Sequence, residues 1–88
     1  MFSTPEECKD GAVDLVIVAA KRAGTDITSV GQETLLEELD IRPLDILMDA
    51  EEEFGVDLDL EKENAFRTGS LVTVKDLQNI FMKKFLST

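Results

Sequence analysis

The sequence predicts a small all-α protein, a bundle of three long helices and one short helix in a single domain that covers residues 1–88. Two observations predict this fold class. Apolar residues recur at helical spacing in three separate segments, and each segment begins or ends at a residue that favours a helix terminus. A length of 88 residues is also that of one domain. No segment shows a convincing strand pattern.

The first helix is predicted to begin at Thr4 and to end at Gly24. Pro5 takes the first helical position, where its missing N–H would be unpaired in any case. Glu7 stands three residues after Thr4, as in a capping box. Gly24 favours the left-handed conformation that ends many helices. The apolar residues at helical spacing are Cys8, Ala12, Leu15, Val16, Ala19, Ala20 and Ala23.

A long loop is predicted over residues 25–40, followed by a second helix that begins at Pro43 and ends at Gly55. Proline favours the first turn of a helix and glycine its end. The apolar residues expected to anchor the loop to the core are Ile27, Val30, Leu35, Leu36 and Leu39. The apolar stripe predicted for the second helix consists of Leu44, Leu47, Met48 and Phe54.

A short helix is predicted near Leu60 to Phe66, and a last helix from Thr73 onward. Asp76 stands at the third position of the last helix, and Lys83 and Lys84 lie in its last turn, where positive charge suits the helix dipole. The apolar face predicted for this helix consists of Val74, Leu77, Ile80, Phe81 and Phe85.

The composition argues against several classes of site. The chain has no histidine, which is the commonest general base and metal ligand, and its single cysteine, Cys8, cannot form an intrachain disulfide. Zinc sites built on Cys and His are excluded as well. We therefore expect no catalytic residue and no metal site, and a protein that is not an enzyme. Cys8 has no His partner, so we expect it to pack in the core rather than to act as a nucleophile.

The acidic segment that begins at Asp57 resembles the start of a calcium-binding loop. Asp57-x-Asp59-x-Glu61 begins like an EF-hand loop, but Lys62 stands where glycine is needed and Thr68 where glutamate is needed. We therefore do not expect an EF-hand.

The sequence also leads to expectations for cellular location, nucleic-acid binding and oligomeric state. The first residues show neither the basic start nor the apolar run of a secretory signal, and the longest apolar run, residues 12–20, is too short to cross a membrane. The expectation is a cytoplasmic protein without a membrane span, which agrees with a free cysteine. A net charge of −10 disfavours binding to nucleic acid and mildly favours a monomer.

The negative charge is concentrated in the middle of the chain. Residues 33–63 contain thirteen acidic residues against two basic ones, Arg42 and Lys62. One interpretation is a solvated helix surface, and another is a docking surface for a basic partner, which would steer association. A third is an acidic mimic of nucleic acid, although such a mimic would not place apolar residues such as Met48 among its acids.

Three stretches of this chain resemble the acyl carrier protein family. They are Thr34-Leu35 with Glu38-Leu39-x-Ile41-x-x-Leu44-Asp45, then Glu51-Glu52-Glu53-Phe54-Gly55-Val56, then Thr73-Val74-x-Asp76-Leu77. The family carries similar stretches in the same order, and the resemblance covers nearly the whole chain. It implies a four-helix bundle with a long first loop and a short third helix. It also implies an acidic second helix that partner enzymes recognise.

The resemblance fails at the residue that carries the family's cofactor. Acyl carrier proteins attach 4′-phosphopantetheine to the serine of an Asp-Ser-Leu motif at the start of the second helix. When the chain is aligned with the family on Glu38-Leu39-x-Ile41, Pro43 stands at the position of the attachment serine. When it is aligned back from Glu51-Glu52-Glu53-Phe54, Asp40 stands there instead. The first register matches more residues. Neither residue supplies a hydroxyl for the phosphodiester, so no cofactor-binding residue is expected there.

Two other serines are alternatives for the attachment. Ser70, in Gly69-Ser70-Leu71, resembles the Asp-Ser-Leu motif but lacks acidic residues around it. Ser29 lies in the first loop and is a weaker candidate than Ser70.

By the resemblance, in the register read back from Glu51-Glu52-Glu53-Phe54, the positions that partners recognise are matched by Asp45, Met48, Glu51 and Glu52. The hypothesis is a module that docks onto a basic partner, such as an acyl-carrier-dependent enzyme, without a phosphopantetheine arm of its own. The alternatives are a true carrier of fatty-acid or polyketide type modified at Ser70, and the acidic mimic of nucleic acid.

Overall fold

The computed structural model describes residues 2–86 and contains four α-helices. They are α1 (Pro5–Arg22), α2 (Pro43–Phe54), α3 (Asp59–Thr68) and α4 (Val74–Phe85). A turn of 3₁₀-helix, Leu36–Leu39, lies in the long connection between α1 and α2. Within residues 2–86, β-pairing is limited to two isolated bridges, Phe2 with Leu86 and Leu35 with Thr73. The all-α class, the long first loop and the short third helix are confirmed. The third helix extends one residue earlier and two later than predicted.

The helix starts follow the local signals in the sequence. The Thr4 side chain accepts a hydrogen bond from the Glu7 N–H at 3.2 Å, and Pro5 occupies the first position of α1. Pro43 likewise opens α2. At α4 the capping box is complete, because the Thr73 hydroxyl accepts from the Asp76 N–H and the Asp76 carboxylate accepts from the Thr73 N–H. These starts were predicted correctly.

Glycines in the left-handed conformation end two of the helices. Gly55 ends α2 with φ of 64° and Gly69 ends α3 with φ of 62°. An L side chain is disfavoured at such a φ, so both positions favour glycine. α1 ends at Arg22, with Ala23 as its cap and Gly24 directly after. Ala23 is exposed and does not belong to the buried face, because it lies at the end of the helix.

The core lies chiefly between α1 and α4. The buried residues that these two helices contribute are Cys8, Ala12, Leu15, Val16, Ala19, Ala20, Val74, Leu77, Phe81 and Phe85. Ile80, predicted for the same face, is only half-buried. Four phenylalanines, Phe2, Phe54, Phe81 and Phe85, pack with ring centroids 4.8–6.5 Å apart. The Phe2 ring also accounts for a glycine inside α1, since a Cβ at Gly11 would lie 2.8 Å from its Cζ atom.

The loop between α1 and α2 is tied to the start of α4. The Leu36 N–H donates to the Val72 carbonyl at 2.9 Å, and the Val74 N–H donates to the Thr34 carbonyl at 3.0 Å. Leu36 and Leu39 are buried, as predicted. The remaining predicted anchors are half-buried: Ile27, Val30 and Leu35.

The predicted apolar stripe of α2 was partly wrong. Ile46, Leu47 and Ala50 are its buried residues, whereas Leu44 and Met48 face solvent. Apolar residues occupy more than one side of this helix, so spacing alone does not select the face that packs against α1. Phe54 is half-buried against the phenylalanine cluster.

None of the helices within residues 2–86 is both long and apolar enough to cross a membrane.

Candidate docking surface

The outer face of α2 brings together three of the four residues predicted to bind a partner. At 3.6 residues per turn, Asp45, Met48 and Glu52 lie within roughly 60° of one another around the helix. They point away from the buried residues of α2, and all three are exposed. Met48 keeps 51% of its surface exposed between the two carboxylates. This face combines an apolar side chain with negative charge.

The fourth predicted residue, Glu51, is held by contacts within the chain. Its carboxylate accepts a hydrogen bond from the Leu58 N–H at 2.8 Å and another from the Lys62 ammonium at 2.7 Å. The side chain is half-buried and links α2 to the start of α3. Glu51 therefore stabilises the packing of these two helices.

The two partners of this ion pair titrate differently from free side chains. The hydrogen bond from Lys62, followed by the one from the Leu58 N–H, lowers the pKa of Glu51. The hydrogen bonds to Glu51 and Asp59 raise the pKa of Lys62. Both shifts favour the charged forms, so the pair is ionised at neutral pH.

Lys62 also contacts one carboxylate of the segment that begins like a calcium loop. Oxygens of Glu51, Asp57 and Asp59 lie within 4.8 Å of one another. The Lys62 ammonium is 2.7 Å from Glu51 and 3.2 Å from Asp59, so one side-chain cation offsets part of the charge of these three carboxylates. Glu61, the third acid of the sequence motif, lies 3.7 Å from the Lys84 ammonium instead.

An apolar groove lies beside the outer face, between α2 and α3. It has a volume of about 500 Å³ and is lined by Leu44, Met48, Ala65 and Phe66 among others. Phe66 keeps 77% of its surface exposed. Exposed apolar side chains that cluster around a groove often mark a contact with another molecule.

Phe66 was not among the residues predicted to bind a partner, although the sequence around it contains a signal of exposure. Its neighbours at three and four residues along the helix are Lys62, Glu63, Gly69 and Ser70. None of these offers an apolar partner on the same side of α3. An aromatic residue without such neighbours does not belong to a core-facing stripe.

The start of α2 lies at Pro43, as the sequence predicts. Arg42 caps the helix and Pro43 is its first residue, while Asp40 lies before it with φ of 57°. The Arg42 guanidinium pairs with Asp45 at 2.9 Å, on the exposed surface. Neither Pro43 nor Asp40 has a side-chain hydroxyl that could form the phosphodiester.

The alternative attachment residues lie in loops. Ser70 is exposed in the connection between α3 and α4, and its hydroxyl oxygen lies 2.9 Å from the Thr68 hydroxyl oxygen, within hydrogen-bond distance. The N-cap of α4 is Thr73, three residues further on. Ser29 is exposed in the first loop.

Cys8 is fully buried in α1, as expected for a core residue. Burial, with a smaller effect of the neighbouring Glu7 carboxylate, raises the pKa of its thiol. A thiol that is both inaccessible and protonated is a poor nucleophile.

Comparison of the chain with models of protein families, with curated proteins and with solved structures gives no significant match.

Proposed function

We propose that this protein is a docking module of acyl-carrier-protein type that binds the basic surface of a partner enzyme and has no phosphopantetheine arm of its own. The observation that carries the proposal is the outer face of α2, where an exposed Met48 lies between the acidic side chains of Asp45 and Glu52.

The two components of this face have different roles in binding. The carboxylates, within a segment of thirteen acids and two bases, attract a positively charged surface over distance and raise the rate of association. Met48 supplies apolar area, and full burial of such a side chain contributes about 1.5–3 kcal/mol. A methionine is also adaptable in shape, which suits a surface that meets a partner only transiently.

The absence of an arm is inferred from the residues at the start of α2. The phosphodiester of 4′-phosphopantetheine requires a hydroxyl oxygen, and the family places it where a helix N-terminus lies beside the phosphate. Here that place is held by Pro43, with Arg42 before it. The module would therefore dock where a carrier docks without delivering a substrate.

Two alternative functions would require different features of the surface. A true carrier modified at Ser70 would use an exposed serine in the α3–α4 connection, three residues before the helix cap. An acidic mimic of nucleic acid would present carboxylates without apolar side chains among them. The exposure of Met48 and Phe66 favours docking onto a protein surface over the mimic.

The proposal is tested by reversing charge on the outer face. A broad-specificity phosphopantetheinyl transferase, which binds acyl carriers, serves as the probe partner in a calorimetric or surface-based affinity measurement. The variant Asp45→Lys/Glu52→Lys is expected to lose at least about tenfold in affinity at low salt, because attraction becomes repulsion. Glu51 is left unchanged, since its reversal would disrupt the α2–α3 contact.

The matched control is Asp26→Lys/Glu33→Lys, which makes the same change in net charge at exposed loop positions. The control is expected to lose much less affinity than the α2 variant. Equal losses in the two variants would show that only net charge matters and would contradict docking through α2.

A further inference from the structure

A second groove lies on the other flank of α2, between this helix and α1. It has a volume of about 520 Å³. Its apolar lining comes from Phe2, Leu15, Val18 and Phe54. Val18, in the second half of α1, keeps 45% of its surface exposed. The groove therefore offers apolar area that the fold itself leaves uncovered.

Both walls of this groove carry negative charge. Asp14 stands on the α1 wall, and Asp49, Glu52 and Glu53 stand on the α2 wall. Among the described residues that line the groove, Arg22 is the one base, and its guanidinium lies 3.4 Å from the Asp49 carboxylate. An apolar floor between acidic walls is complementary to an apolar stripe that has cations on both sides.

We propose that this groove binds a basic amphipathic helix of the partner protein. The apolar side chains of that helix contact Val18, and its lysine or arginine side chains pair with Asp14 on one wall and with Glu52 and Glu53 on the other. The proposal rests on the proposed function for the basic character of the partner. It adds α1 to the interface and assigns the partner's contacting element to a helix.

Other occupants fit this groove less well. A second copy of the chain has the same net charge of −10, so its approach to an acidic groove is opposed by repulsion. An anionic ligand meets the same repulsion. A neutral apolar ligand makes no use of the carboxylates on the two walls.

The test uses the full chain, labelled with ¹⁵N, and a synthetic leucine–lysine peptide patterned as an amphipathic helix. The amide signals of Gly11, Asp14 and Val18 are expected to shift on titration. The variant Val18→Ser is expected to weaken peptide binding about fivefold or more, because it removes apolar contact. Its matched control is Val72→Ser, since Val72 is also 45% exposed and does not line this groove.

Charge provides a second pair of variants. Asp14→Asn is expected to weaken binding, whereas Arg22→Gln is expected to strengthen it by removing the base that competes with the peptide for Asp49. Circular dichroism of each variant checks that the helices are retained. Asp26→Asn, in the exposed first loop, is the control for loss of one negative charge.

The outcomes separate this proposal from the proposed function. Equal peptide affinities of Val18→Ser and Val72→Ser overturn the groove proposal, as do signal shifts confined to the neighbourhood of Phe66. If the groove proposal fails but the wild-type chain still binds the transferase through Asp45 and Glu52, the proposed docking function is retained without the groove. A wild-type chain that binds neither probe overturns both. If the free wild-type chain forms dimers and Val18→Ser abolishes them, the groove serves self-association and the proposal is overturned.

Discussion

The two helix pairs of this molecule contribute unequally to the buried core. α1 and α4 enclose the core, where Cys8 and Val16 of α1 and Leu77 and Phe81 of α4 are fully buried. α2 and α3 are linked at the surface by the pair of Glu51 with Lys62. They also leave large apolar side chains exposed: Leu44, Met48, Leu60 and Phe66. α1 and α4 contribute ten of the buried apolar residues, whereas α2 and α3 contribute four and add an ion pair between them.

This difference indicates how stability and binding are divided. Burial of the α1–α4 core provides the driving force for folding. The α2–α3 side contributes less burial and keeps its acids and apolar residues accessible. Substitutions on the two sides should therefore separate loss of folding from loss of binding.

The largest expected effect is loss of the aromatic core. Phe81→Ala removes a fully buried ring from the phenylalanine cluster and should lower the free energy of unfolding by about 3–5 kcal/mol. Phe66→Ala, at an exposed position of α3, should change it by no more than about 0.5 kcal/mol. Urea denaturation followed by circular dichroism measures both. Similar losses in the two variants would contradict the division between the helix pairs.

A smaller loss is expected at the start of α4, on the packed side. Thr73→Ala removes the side-chain acceptor of the Asp76 N–H and should lower the free energy of unfolding by about 1 kcal/mol. Thr73→Ser retains the hydroxyl and should remain close to wild type in the same urea titration. If Ser and Ala prove equally destabilising, the cap hydrogen bond is not the cause.

The contact between α2 and α3 should depend on pH. Hydrogen bonding lowers the folded-state pKa of Glu51, so its contribution to stability is fully present above its unfolded pKa of about 4.3 and is lost as the pH falls through the folded value. Glu51→Gln should therefore have a lower urea midpoint than wild type at pH 7, and this difference should shrink below about pH 4.3. Glu52→Gln, at an exposed position, is the control. A difference that stays constant in acid would show that the charge of Glu51 is not what links the helices.

The smallest effect is expected at Pro43. Pro43→Ser keeps a residue that the first position of a helix accepts, so the helical circular dichroism signal should be unchanged and the loss of stability within about 1 kcal/mol. A collapse of the signal would mean that proline is required to form α2.

Local signals in the sequence were enough to predict most of the helix boundaries. Thr4, Pro43 and Thr73 are capping or first-turn residues, and Gly55 adopts the left-handed conformation after α2. Gly69 does the same after α3 but was not predicted as the end of that helix. Such effects depend on neighbours within one turn, so they can be inferred without the fold.

Contacts between distant residues could not be predicted in this way. The role of Glu51 depends on Lys62, which lies on a different helix, and spacing within α2 gives no information about it. The buried Gln78 likewise accepts a hydrogen bond from Gln32 across a separation of 46 residues. The exposure of Leu44 was missed for the same reason, since the packing of α2 against α1 decides which of its apolar residues are buried. Met48 was predicted both for the apolar stripe and for the docking surface, and only this packing shows that it is exposed.

The central claim, docking without an arm, is tested most directly by intact mass spectrometry of a mixed reaction. A broad-specificity phosphopantetheinyl transferase, coenzyme A and a genuine acyl carrier are incubated with increasing amounts of this chain. We predict that the mass of this chain does not change, and that the genuine carrier gains its phosphopantetheine more slowly because the chain competes for the basic site of the enzyme. A gain of one phosphopantetheine on this chain, mapped to Ser70 or to another residue, would contradict the account.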